Sequence, residues 1–129
     1  MQEGKEMQPN AYQAYQENQV KTADRPRLVV MLYEEAIRYL KEAVQAFKEG
    51  DHECKGERLV FGMEVISELL ASLDTEAGGE IAKNLKGLYT YMLQRLVLAD
   101  AEGDPEKVQE VISLLQELLE AWKEVSHRR

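Results

Sequence analysis

Four long segments of this chain carry apolar residues at helical spacing, and three short breaks separate them. The breaks fall at residues 50–51, 74–79 and 103–105, where glycine, aspartate and proline cluster. These residue types mark turns, and no segment shows the strict alternation that a half-buried strand requires. Because each connection is only a few residues long, consecutive helices should lie antiparallel. The sequence therefore predicts an all-α, antiparallel up-down-up-down four-helix bundle.

Capping residues at the breaks set the expected helix bounds. Asp24 is a good N-cap for the first helix, and Gly50 is a suitable stop. The second helix is expected over residues 53–73 and the third over residues 79–101. The fourth opens with Asp104 as its cap and proline at its first helical position.

The first 23 residues differ from the rest of the chain. The sequence predicts that residues 1–23 are a flexible N-terminal tail and short capping segment, and that residues 24–126 form the four-helix bundle. Residues 11–20 can form a short helix, but an isolated helix of that length is marginal in water. The segment therefore needs a surface to lie on.

One apolar stripe on each helix is expected to build the core. Gly62 lies on the core side of the second helix, where its missing side chain permits close contact between helices. Leu115 lies on the heptad-like seam of the fourth helix and is predicted to be buried. On the first helix the stripe comprises Leu28, Leu32, Ala36, Tyr39, Ala43 and Phe47.

Charge and composition exclude several classes of protein. The net charge is −8, which gives no general attraction to nucleic acid or to an anionic membrane. Apolar stretches such as residues 28–33 are too short to span a bilayer, so no membrane insertion is expected. A single cysteine, Cys54, cannot form an internal disulfide and fits a reducing compartment. A cytoplasmic location is therefore predicted.

Helical bundles can hold di-iron sites through Glu-x-x-His motifs, and two such spacings occur here. The first, Glu49 to His52, is interrupted by a helix-ending glycine, and Glu124 of the second faces solvent on a helical wheel. His52 and Cys54 fall short of the four ligands of a structural zinc site. No nucleophile and base are paired, so the sequence predicts neither an enzyme nor a cofactor or metal.

A second apolar row accompanies the main stripe on the first and third helices. Tyr33 and Ile37 lie in this row on the first helix, about 100–160° from Leu32. Tyr89 and Leu93 are rotated off the main seam of the third helix. Two interpretations remain open, a wide core arc or a groove for an amphipathic partner helix.

At these positions the chain resembles the FliS family of flagellin-specific export chaperones. The first similar block contains YQENQV at residues 15–20 and LVVMLYEEAI at residues 28–37, and the second contains GEIAKNL at 79–85 and LYTYM at 88–92. The resemblance extends over residues 11–125. One departure is Asp24, which stands where the family often has serine before proline, although aspartate can also cap a helix.

The resemblance implies a cytoplasmic chaperone that binds the disordered C-terminal segment of flagellin. Such a protein prevents premature polymerisation and assists flagellar type III export, with components of the export apparatus as further partners and no cofactor. The matching N-terminal signature indicates Tyr12, Tyr15, Gln19 and Val20 as client-binding residues. The helical wheel adds Tyr33, Ile37, Leu85, Tyr89 and Leu93 as groove candidates.

Two further hypotheses concern assembly. A dimerising helical adaptor or regulatory module without an export client is the alternative, because exposed apolar rows serve a homodimer equally well. The protein is expected to be a monomer or weak homodimer. Tyr12, Tyr15 and Gln19 share one face if residues 11–20 are helical, so this segment is predicted to cover the client groove.

Overall fold

Four α-helices build the computed structural model, which describes residues 25–127. They are α1 (Arg25–Glu49), α2 (His52–Ala71), α3 (Thr75–Glu102) and α4 (Pro105–His127). No strand occurs within this range. The predicted all-α fold is confirmed, while residues 1–24, and with them the predicted cap Asp24, lie outside the described part of the chain.

Ion pairs between neighbouring helices show how the bundle is arranged. The start of α2 meets the end of α3 through Lys55 Nζ and Asp100 Oδ1, 3.0 Å apart. The start of α1 faces the end of α4, where Glu34 Oε2 is 3.9 Å from Lys123 Nζ. Helix α1 packs on α2 and α4, and α3 packs on the same two helices from the opposite corner. This is the predicted antiparallel up-down-up-down order.

Aspartate side chains cap three of the helices at the predicted breaks. Asp51 Oδ1 accepts a hydrogen bond from the amide of Cys54 at 3.1 Å. Asp74 Oδ1 accepts from the amide of Ala77 at 3.1 Å, and Asp104 Oδ1 accepts from the amide of Glu106 at 3.0 Å. Each carboxylate satisfies an amide that has no partner inside its own helix.

The start of α3 differs from the sequence-based expectation. The helix begins at Thr75, directly after its Asp74 cap, rather than at Gly79. Gly79 instead interrupts the helix with φ 61° and ψ −138°, a conformation that only glycine adopts readily. The break separates the first turn of α3 from the rest of the helix, so the glycine predicted to start the helix bends it instead.

The core lies along the axis between the four helices. On α1 the face that points toward this core is centred on Leu40. Leu40 is about 80° from Leu32 on a helical wheel and lies between the two apolar rows. The second row, including Tyr33 and Ile37, is therefore buried in the core. The core side chains are Tyr33, Ala36, Ile37, Leu40, Ala43, Val44, Leu59, Val65, Ile66, Leu69, Leu85, Tyr89, Met92, Leu96, Ala99, Val108, Val111, Ile112, Leu115 and Leu119.

Gly62 brings α1 and α2 into close contact. A Cβ atom at this position would lie 2.6 Å from Leu40 Cδ2, well inside the distance that carbon atoms tolerate. The predicted close approach is confirmed, and so is the burial of Leu115 on α4, which has no exposed surface. None of the helices within residues 25–127 is long and apolar enough to cross a membrane.

Candidate functional site

An apolar groove opens at one pole of the bundle, where α1 and α3 begin and α2 and α4 end. Its volume is about 540 Å³. We call this surface the groove. It is lined by Pro26, Leu28, Val29, Leu32, Leu69, Ser72, Leu73, Asp74, Ala77, Gly78, Ile81, Ala82, Leu85, Tyr89 and Trp122.

The groove exists because apolar side chains continue to the helix ends beyond the point where neighbouring helices cover them. Leu28 and Leu32 in the first turns of α1 are only half-buried. Ile81, just after the Gly79 break in α3, is 72% exposed. Among the described residues that line the groove, Asp74 is the one that carries a charge, and its carboxylate is engaged in capping α3. The surface therefore suits an uncharged, apolar partner.

A bonded pair of tyrosines lies at the inner wall of the groove, with Tyr89 in the lining and Tyr33 behind it. The hydroxyl oxygens of Tyr33 and Tyr89 lie 2.6 Å apart, and the ring centroids are separated by 6.3 Å in an edge-to-face arrangement. The Trp122 ring packs on Tyr33 with centroids 6.5 Å apart. These contacts join α1, α3 and α4 across the bundle, so they fix the position of the wall.

Burial sets the ionisation of this pair. Removal from water disfavours the phenolate and raises the pKa of Tyr33, while hydrogen bonds from Tyr89 and Trp122 partly oppose that rise. Burial and the hydrogen bond to Tyr33 both raise the pKa of Tyr89. The two hydroxyls are therefore neutral throughout the physiological pH range and act as hydrogen-bonding groups rather than as acids.

Two other depressions on the described surface differ from the groove in chemistry, and a third, of about 750 Å³ between α1 and α2, mixes apolar and carboxylate side chains. A hollow of about 780 Å³ between α1 and α4 is lined mainly by charged and amide side chains, including Glu34, Arg38 and Lys123. Another on α3 carries Lys83 and Lys86. Charged linings of this kind are well solvated, so the apolar groove is the stronger candidate for binding a protein segment.

The structure places two of the five helical-wheel candidates in the groove lining and three outside it. Leu85 and Tyr89 line the groove. Tyr33 lies directly behind the wall, fully buried and bonded to Tyr89. Ile37 lies on the α1 side facing α4, and Leu93 is half-buried against the core, so neither of these two joins the groove.

Four N-terminal candidates, Tyr12, Tyr15, Gln19 and Val20, lie outside the described residues. Sequence reasoning also missed part of the lining, because it assigned Leu28 and Leu32 to the core stripe of the first helix. The sequence feature that could have identified them is their position near a helix end. Each lies within about two turns of a helix end, and an antiparallel bundle brings those ends to the same pole.

The Glu-x-x-His spacings form no paired site. Glu49 Oε2 accepts a hydrogen bond from Gln45 at 2.8 Å, and His52 is exposed at the first position of α2. His127 is exposed near the other pole. Within residues 25–127 no three histidine, cysteine, aspartate or glutamate side chains are grouped so that they could hold a metal ion.

Comparison with known proteins agrees with the geometry. A family model described as "Flagellar protein FliS" matches residues 8–129. The "Flagellar secretion chaperone FliS" of Campylobacter jejuni is 40% identical over 120 residues, which is 92% of this chain and 94% of that protein. The protein of the same name from Salmonella typhimurium is 40% identical over 111 residues, covering 85% of this chain and 82% of the relative. That of Bacillus subtilis is 34% identical over 115 residues, covering 89% and 85%.

A solved structure described as a flagellar chaperone from bacteria shares the fold, with a TM-score of 0.77 and 17% identity over 93% of this chain and 98% of the other. Fold and relatives together place the chain in a class of helical chaperones. The chain belongs to the FliS family, whose curated relatives are flagellar secretion chaperones and not enzymes. The predicted family and the absence of an enzymatic role are thereby confirmed.

Proposed function

We propose that this protein is a cytoplasmic chaperone that binds the disordered C-terminal segment of flagellin. In this proposal it prevents premature polymerisation and assists delivery to the flagellar type III export apparatus, components of which are further partners. The observation that carries the proposal is the apolar groove at one pole of the bundle, with Ile81 72% exposed. An apolar surface of this kind suits a partner segment.

The chemistry of the groove fits a client that folds as it binds. An amphipathic helix places apolar side chains on one face at i, i+3, i+4 and i+7, and such a face matches an uncharged groove. The client loses conformational entropy when it becomes ordered, which lowers the affinity for a given buried area. Moderate affinity is what a carrier needs if it is to release its client at the export apparatus.

The N-terminal segment has a place in this proposal because of where α1 begins. Pro26, in the first turn of α1, lines the groove, so the helix begins at the edge of the groove. Tyr12, Tyr15, Gln19 and Val20 form the client-sensitive part of that segment, which covers the groove until the client replaces it. Deleting residues 1–20 should then raise client affinity by removing a competitor. If these residues instead contact the client, the deletion weakens binding, and calorimetry of both proteins with one peptide distinguishes the two roles.

A second candidate function is favoured by apolar residues outside the groove. Val97 and Leu98 near the end of α3 are 54% and 40% exposed, and neither lines the groove. Such a patch suits a dimerising adaptor without an export client. Sizing of the pure protein separates the two functions, because a stable dimer that ignores the flagellin segment would support the adaptor.

The direct test is calorimetry of the full chain with the C-terminal segment of the flagellin encoded in the same genome. Ile81→Asp introduces a charge into the groove at an exposed site, so the fold should survive while affinity falls about 10-fold or more. Val97→Asp is the matched control, since it makes the same chemical change on the same helix outside the groove. Equal weakening by both variants, or no binding by the unmodified chain, would contradict the proposal.

A further inference from the structure

The depression between α1 and α2 is a surface separate from the groove. Its volume is about 750 Å³, and it shares no lining residue with the groove. We call this surface the aromatic hollow, because Tyr39 of α1 and Phe61 of α2 both line it. The proposed function makes no use of it.

The two aromatic rings of the hollow are held in place by their neighbours. Their centroids lie 5.3 Å apart. The guanidinium carbon of Arg38 is 4.6 Å from the centroid of the Tyr39 ring, and that of Arg58 is 5.6 Å from the centroid of the Phe61 ring. Glu42 holds both arginines, at 3.6 Å and 3.1 Å. The apolar surface is therefore preformed, so a partner does not lose affinity by ordering it.

Apolar side chains of the hollow also reach the solvent. Val60 is 49% exposed, and Tyr39, Phe61 and Met63 are half-buried. On α2 the lining residues recur every three or four positions between residues 60 and 71, which makes a surface about 16 Å long. A surface of this length beside a second helix matches about three turns of a partner helix.

The charged residues that line the hollow all have the same sign. Among the described lining residues they are Glu35 on α1 and Glu64 and Glu68, one turn apart on α2, and none is basic. The two arginines that contact the aromatic rings are already paired with Glu42. An apolar surface interspersed with carboxylates is complementary to an apolar face flanked by cations.

We infer that the aromatic hollow is a docking surface for an amphipathic helix of a second protein, with lysine or arginine on both sides of its apolar stripe. Long basic side chains suit this surface, because their aliphatic stems pack on apolar groups while their charged ends reach the carboxylates. The net charge of −8 also attracts a basic partner during diffusional encounter. The inference goes beyond the proposed function, since the partner occupies a different surface from the client.

Two other occupants match the hollow less well. A second copy of this chain, related by a twofold axis through the hollow, brings the same three carboxylates from both sides, and like charges across an interface are unfavourable. An apolar client segment matches the groove, where a single carboxylate among the described lining residues caps α3. The partner that the hollow selects is distinguished by its positive charge.

Calorimetry of the full chain with two designed peptides tests the inference. The first is an amphipathic helix of about 14 residues with leucine on one face and lysine on both sides of it, and the second carries glutamate in place of every lysine. The lysine peptide should bind at least about 10-fold more tightly than the glutamate peptide, and added salt should weaken its binding. Equal affinities of the two peptides, or no binding of the lysine peptide, would overturn the inference.

Matched variants distinguish the hollow from a general attraction to an acidic protein. Glu64→Lys should weaken binding of the lysine peptide about 5- to 10-fold, whereas Glu117→Lys makes the same change on α4 and should have a much smaller effect. Val60→Ser should weaken binding about 2- to 3-fold by removing apolar surface, and Val97→Ser on α3 is its control. All four side chains are exposed, so circular dichroism should show unchanged helicity. Equal weakening by a variant and its control would contradict the assignment.

Competition identifies the surface that the lysine peptide occupies. Its affinity should be unchanged by saturating amounts of the C-terminal segment of the flagellin encoded in the same genome, and nearly unchanged by Ile81→Asp in the groove. Displacement by that segment would assign the peptide to the client site and overturn the inference while leaving the proposed function in place. A dimer of the pure protein that Val60→Ser dissociates would assign the hollow to a second copy and would also overturn the inference. Failure of the flagellin segment to bind would contradict the proposed function alone, because the peptide measurements do not depend on it.

Discussion

The two poles of this bundle differ in the side chains that they present, which are charged at one pole and apolar at the other. At the pole away from the groove, charged residues join the helix ends. Lys107 Nζ on α4 lies 2.9 Å from Glu102 Oε1 of α3 and 2.9 Å from Asp104 Oδ2, and Lys55 reaches Asp100 at 3.0 Å. At the groove pole, leucine, isoleucine and tryptophan side chains remain partly uncovered. The difference indicates that charged pairs hold the helix ends in register at one pole, whereas the other pole presents the apolar groove.

The pairs at the charged pole are solvent-accessible, so each contributes little free energy individually. Their role is to fix which helix ends meet. The groove pole has no comparable network among its lining residues, and its wall depends on the packing of Tyr33, Tyr89 and Trp122. A change at the groove should therefore affect binding more than stability, whereas a change in the central core should do the reverse.

The largest expected effect comes from the central core between the poles. Leu115→Ala removes a fully buried side chain and should lower the free energy of unfolding by about 2–5 kcal/mol, because it leaves a cavity. Leu28→Ala at the half-buried groove rim should cost roughly 1 kcal/mol but weaken client binding. Urea unfolding and calorimetry measure the two effects. Equal losses of stability would mean that the groove rim is part of the core.

An intermediate effect is expected at the two glycines with positive φ that end or interrupt α3. Gly79→Ala forces a side chain into a conformation reserved for glycine and should cost about 1–3 kcal/mol. Gly103→Ala, at φ 66° and ψ 38°, is the control at the charged pole and should cost roughly 1–2 kcal/mol. A Cβ atom meets nothing within 4 Å at either site, so the cost lies in the backbone.

Only the Gly79 variant should also alter client affinity, because Gly78 and Ile81 beside it line the groove. Chemical denaturation gives the stabilities, and calorimetry with the flagellin segment gives the affinities. If Gly103→Ala changed affinity as much as Gly79→Ala, the separation of the two poles would be incorrect.

A smaller effect is expected from acid, and it should be confined to the charged pole. Hydrogen bonding from Lys107 lowers the pKa of Asp104 below 3.8, and hydrogen bonding from Tyr91 and Arg95 lowers the pKa of Glu110 below 4.5. Both carboxylates are more acidic in the folded state than in the unfolded state. Their contribution to the stability of the fold is therefore fully present at pH values above their ordinary pKa values. It is lost as the pH falls through the lowered values.

Lowering the pH from about 6 to about 3 should therefore destabilise the protein, and Lys107→Met should reduce that pH dependence. Hydrogen exchange should show faster opening near Asp104 than near Tyr89. If the stability of the Lys107→Met variant depended on pH as that of the unmodified chain does, the ion pairs of Lys107 would not be the cause of the acid destabilisation.

The sequence predicted well the features that local signals determine. Asp104 caps α4 as predicted, because its carboxylate reaches an amide only two residues away. Gly62 faces a neighbouring helix, as its place on the wheel indicated. The helical period alone sufficed for the four helices and for the burial of Leu115.

The groove could not be predicted in the same way, because it depends on where four helix ends meet. The wheel took Leu32 as the centre of the core, whereas the packed arrangement is centred on Leu40. That rotation buried Tyr33 and Ile37 and left Leu28 and Leu32 at the groove. Periodicity describes one helix at a time, so it cannot distinguish an apolar residue in mid-bundle from one at an open end.

The close contact at Gly62 has a consequence for how the protein reaches its folded state. Because α1 and α2 are adjacent in sequence and pack tightly where Gly62 meets Leu40, they can join at a low entropic cost of loop closure. Helix α3 packs less extensively on its neighbours, yet it supplies more of the groove lining than any other helix. We therefore expect the α1–α2 hairpin to form before the client site during synthesis. Pulsed hydrogen exchange during refolding should show amides of α1 and α2 protected earlier than those of α3, and simultaneous protection would contradict this order.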